Sequence, residues 1–60
     1  MNTYANSVID ALGGTTATAA MISAPVSTVH GWRKIGIPPA HMAHIRLLAK
    51  LGKMALPEAE

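Results

Sequence analysis

Apolar residues recur at helical spacing along most of this chain, and glycine and proline break the pattern into short segments. Ala5, Val8, Ile9 and Leu12 fall at i, i+3, i+4, i+7, the stripe of a first helix that Asn2 or Thr3 can cap. Gly13 and Gly14 stop it. A second helix, capped by Thr15 or Thr16, runs to about Ile22 with Ala19 and Ile22 inward. Ser23-Ala24-Pro25 breaks the pattern, and Pro25 marks the start of a third helix, since proline suits only a first turn. Val29 and Trp32 form the inner side of that helix, Arg33 and Lys34 lie in its last turn, and Gly36 ends it.

Ile37-Pro38-Pro39 reads as an extended linker, because a residue preceding proline leaves the helical region. Pro39 opens a fourth helix to about Leu51, with Ile45, Leu48 and Ala49 inward and Gly52 as its stop. The segment from Lys53 to Glu60 is open to three readings: a frayed end, a short helix, or a strand given to a partner. The expected fold is therefore all-α, with four to five short helices in one domain spanning 1–60.

Composition agrees with helices. Half of the 60 residues are hydrophobic, many of them alanine, and the aromatic set is one tryptophan and one tyrosine. Alanine favours close-packed helices over strands. A chain this short buries only about 60% of its unfolded surface, so it needs economical packing or a partner that shares its core. Without cysteine it has no disulfide and no thiolate metal site, which suits a cytoplasmic protein. The apolar run from Ala17 to Val29 has no basic residue before it and is interrupted by Thr18, Ser23, Pro25, Ser27 and Thr28. It reads as neither a targeting segment nor a membrane span.

Charge adds direction. Before His30 the one charged side chain is Asp10, whereas Arg33, Lys34, Arg46, Lys50 and Lys53 all lie in the second half. Cations clustered behind one segment point to a phosphate-bearing partner more strongly than a net charge of +2 does. Two short helices joined by a tight turn, from about 15 to 34 and with alanine near their crossing, have the layout of a helix-turn-helix. Its third-helix outer face holds Val26, Ser27, His30, Gly31 and Lys34, with Arg33 at the edge. Serine and histidine can bond base edges, valine can touch a thymine methyl, and glycine lets backbone approach closely. Arg33 and Lys34 stand where phosphates pass, and the threonine-led start of the second helix is a natural phosphate anchor. The opposite reading of Val26 packs it inward, three residues before Val29.

Gly13-Gly14-Thr15, Ala19 and the run Val29-x-x-Trp32-Arg33-Lys34-x-Gly36-Ile37-Pro38 together resemble Cro-type phage repressors and their relatives, the YdaS-like antitoxins of prophage loci. The likeness spans roughly Val8 to Ile45. It implies a lambda-repressor-like DNA-binding domain, a homodimer, and short palindromic operators on double-stranded DNA. Carried over by position, it implies that Pro25, Val26, Ser27, His30, Gly31 and Lys34 face DNA and that Thr15 faces phosphate. Two positions depart from the family's pattern: Ser23 stands where the turn holds glycine, and Pro25 where the recognition helix opens with serine or threonine.

Other chemistry is thin. His41 and His44 at i, i+3 could share a metal ion, but no cysteine or neighbouring acid completes a site, so the pair reads as solvated or phosphate-facing. No nucleophile–base–acid pattern or phosphate-cradling loop occurs, and the expectation is a non-enzyme without cofactor. Met42, Leu47, Leu51, Met54 and Leu56 exceed what one small core needs and are expected to form a dimer seam within about 40–60. Two rivals remain. One is an antitoxin that binds a toxin and represses its own operon; the other is a helical adaptor that binds protein through the fourth helix and tail.

Overall fold

The computed structural model describes residues 2–57, and over them the chain is all-helical. Four helices follow in order: α1 (Thr3–Ala11), α2 (Thr15–Ile22), α3 (Val26–Ile35) and α4 (Pro39–Leu51). No strand occurs among the described residues. The boundaries follow the punctuation of the sequence. Asn2 caps α1, its side-chain oxygen accepting the Ala5 N–H at 2.9 Å. The α1–α2 corner needs two residues with left-handed backbone, and Gly13 (φ 102°) and Gly14 (φ 103°) supply them.

The start of α2 differs from the expected threonine cap. Gly14 holds the capping position without a side-chain bond, and Thr15 and Thr16 fall within the first turn. Their hydroxyls are thus free for other partners. Pro25 precedes α3 with an extended backbone, φ −61° and ψ 142°, and its carbonyl accepts the Thr28 and Val29 N–H groups. Proline also opens α4, where Pro38 accepts from Met42 at 2.9 Å.

The core gathers one stripe from each helix. Val8, Ile9 and Leu12 of α1 and its C-cap meet Ala19 of α2, Val29 and Trp32 of α3, and Met42 and Ile45 of α4. Ala5 and Ala49 are also buried. Burying each large aliphatic side chain contributes about 1.5–3 kcal/mol before conformational entropy is subtracted. Leu48 and Ile22 are half-buried.

Two seam assignments are corrected. Met42 is 7% exposed and belongs to the core, and Leu56 packs against that core. Leu56 can do so because the residues after α4 turn back: Lys53 takes a left-handed φ of 54°, and the Tyr4 hydroxyl donates to the Pro57 carbonyl at 3.2 Å. The tail is therefore neither helix nor strand as far as Pro57, and residues 58–60 lie outside the described residues. Leu47, Leu51 and Met54 stay exposed. Among the described residues no helix is long and apolar enough to cross a membrane.

Candidate nucleic-acid interface

Helices α2 and α3 are joined through Ser23, Ala24 and Pro25. Ser23 takes left-handed backbone, φ 57° and ψ 41°, at the place where the resembled pattern holds glycine. The turn thus keeps a glycine-type geometry on a serine. Ser23 and Ala24 return their N–H groups to the carbonyls of Ala20 and Ala19, at 3.4 and 3.0 Å, which closes the end of α2. Ala19, 3% exposed, is small enough for the two helices to approach closely.

Helix α3 is anchored on one side by Val29 and Trp32, both buried. Ser27, His30 and Lys34 follow at i, i+3, i+7 on the opposite side, and all three are exposed. Pro25 and Val26 are exposed as well, so Val26 does not tuck into the core. Gly31 borders the stripe, and a methyl group added there would meet nothing within 4 Å. Packing does not require a glycine at this position; its bareness is a property of the surface. The result is a shallow strip of hydroxyl, imidazole, ammonium, one valine and uncovered backbone.

Arg33 lies elsewhere. Its Nε donates to Thr15 Oγ1 at 3.0 Å, its Nη1 to Asn6 Oδ1 at 2.9 Å and its Nη2 to Asp10 Oδ1 at 2.8 Å. The side chain is 23% exposed, and its ion pair with Asp10 is the one formed among the described residues. Thr15 is part of this network. Its oxygen accepts from Arg33, and its own hydroxyl hydrogen remains available to donate.

Asn6 and Asp10 escaped the sequence reading, although a signal was present. They stand four apart on one flank of α1, and Asp10 is an isolated charge in an otherwise neutral half-chain. Thr18 was also missed: it is fully buried and its hydroxyl donates to the Gly14 carbonyl at 2.8 Å, a bond local enough to hide a polar group in the core.

Other cations lie on α4 and beyond it, with Arg46, Lys50 and Lys53 all exposed. The His41 ring lies beside Trp32, centroids 4.8 Å apart and planes tilted by 40°. No cluster of three or more His, Cys, Asp or Glu forms among the described residues, and no pocket indents their surface.

Comparisons of this chain with protein-family models, with curated proteins and with solved structures give no match.

Proposed function

We propose that this chain is a sequence-specific DNA-binding protein, a transcriptional regulator that lays the outer face of α3 in the major groove as the second member of a helix-turn-helix. The observation that carries this reading is the exposed stripe of Ser27, His30 and Lys34, with Val26 and Gly31 beside it, on a helix whose other side is pinned by Val29 and Trp32. Such a face offers a donor–acceptor pair, a methyl-contacting side chain and room for close backbone approach. Lys34 and the donor hydrogen of Thr15 flank it as phosphate contacts.

The family resemblance of the sequence supports a Cro-like repressor that works in the cytoplasm as a homodimer. Two copies would present α3 to successive major grooves about 34 Å apart. Exposed Leu47 and Leu51 are the surface on which a second copy would rest.

The test is selection from a pool of random duplex DNA at graded salt, with sequencing of what is retained. Enrichment of a short palindrome is the expected result and would also deliver the operator. Retention without enrichment would reduce the protein to a nonspecific binder. Absence of retention at physiological salt would overturn the reading in favour of a protein adaptor working through α4.

A further inference from the structure

The adjacent cations at the end of α3 point in different directions. Lys34 is exposed on the recognition stripe, whereas the Arg33 guanidinium is held by two helices at once. Its Nε edge meets Thr15 at the start of α2. Its two Nη groups grip Asn6 and Asp10, one turn apart on α1. A planar fork bonded on both edges has its plane fixed, which a lysine ammonium cannot reproduce.

The main chain repeats the connection. The Asn2 N–H donates to the Arg33 carbonyl at 2.9 Å, and Gly36 lies so near Asn2 that an added methyl group would come within 2.8 Å of its side-chain nitrogen. The C-terminal turn of α3 is thus tied to α1 through side chain and backbone alike, and to α2 through Thr15.

From this arrangement we propose that Arg33 is a positioning residue for the recognition face rather than a phosphate contact, and that Asp10 and Asn6 act through it although they lie on a helix that reads no base. The inference rests on the DNA-binding reading of α3. Electrostatics and positioning then make opposite predictions for one substitution. Asp10→Asn removes a negative charge and frees Arg33. If Arg33 served phosphate, binding would tighten on every duplex. If Arg33 seats α3, discrimination between sequences falls.

The experiment compares wild type, Asp10→Asn, Arg33→Lys and Arg33→Gln on two probes, the duplex enriched by selection and a mixed-sequence duplex, across a salt series below each protein's melting temperature. The expected result is that all three variants lose about tenfold in discrimination, comparable to one misread base pair. The slope of log affinity against log salt stays unchanged. Tighter binding of Asp10→Asn to both probes, or a salt slope lowered by about one in Arg33→Gln, would overturn the proposal.

A variant that fails to fold leaves the wild-type protein to decide. The Arg33 Nε–H resonance should exchange slowly and keep its position when the enriched duplex is added; a shift on addition would mark a DNA contact. If wild type binds neither probe, the DNA-binding reading fails on its own. The clamp is then judged by the backbone amide resonances of Val26–Ile35 in Asp10→Asn, whose displacement keeps it and whose constancy removes it.

Discussion

The indole of Trp32 and the imidazole of His41 lie 4.8 Å apart between centroids, one ring on α3 and the other in the first turn of α4. The contact bridges the proline-containing linker, and Trp32 is the one tryptophan in the chain. Tilted aromatic pairs at this distance contribute about 0.5–1.5 kcal/mol beyond the area they bury. His41→Ala is expected to lower stability by about that amount. The change should shift Trp32 fluorescence in the folded protein, so denaturant titration followed by emission reads both effects. Unaltered emission would mean that the rings do not meet in solution.

Ile45 and Leu47 stand two apart on α4 and have opposite environments, one fully buried and the other 56% exposed. Truncating a buried isoleucine to alanine costs about 2–5 kcal/mol. A 60-residue domain has on the order of 3–9 kcal/mol in total, taking the usual per-residue range. Ile45→Ala should therefore remove a large share of that stability and move the denaturant midpoint, followed by circular dichroism at 25 °C, well below that of the wild type. Leu47→Ala should change stability by less than about 0.5 kcal/mol, as surface substitutions usually do. Any effect of Leu47→Ala on sedimentation would then report self-association rather than folding.

Gly31 occupies the middle of α3 without a packing reason. Glycine in a helix interior costs about 0.5–1 kcal/mol relative to alanine. Gly31→Ala is expected to raise the melting temperature while weakening affinity for the selected duplex. Paired thermal melts and binding curves decide the matter. A variant that gains stability and keeps its affinity would show that backbone at this position does not approach DNA.

Lys34 and His30 share the exposed stripe but should fail differently when truncated. Lys34→Ala is expected to weaken binding to all duplexes alike and to reduce the salt slope by about one, as loss of a phosphate contact does. His30→Ala should leave nonspecific binding in place and relax base preference by about 1–3 kcal/mol at one position. Repeating the selection with each variant separates the two behaviours. Unchanged specificity in His30→Ala would remove that residue from the reading face.

The extents of the four helices were legible because each end is set locally by a glycine, a proline or a capping residue, features whose effects span few residues, although α2 is capped by Gly14 rather than by a threonine and Pro25 precedes α3 rather than opening it. The stripes of α1 and α3 were legible for the same reason. Ala5, Val8, Ile9, Val29 and Trp32 are buried as their spacing implies. What the sequence hid is long-range. Arg33 beside Lys34 reads as a pair of equivalent cations until α1, with Asp10 lying 23 residues back, is folded against it. Met42 and Leu56 looked surplus because periodicity on α4 gives no width for the buried stripe, and because a tail without pattern carries no sign that it turns back. Thr18 shows the converse, a polar residue made apolar in effect by a bond to its own helix start.

The bond between Tyr4 and Pro57 joins positions 53 apart, so the beginning and end of the described chain meet on one side of the molecule. In topological terms the fold is nearly a ring, and the order in which its helices are strung is separable from the shape they make. A rearranged gene that linked the two ends and opened the chain at an exposed corner would carry the same contacts in a different linear order.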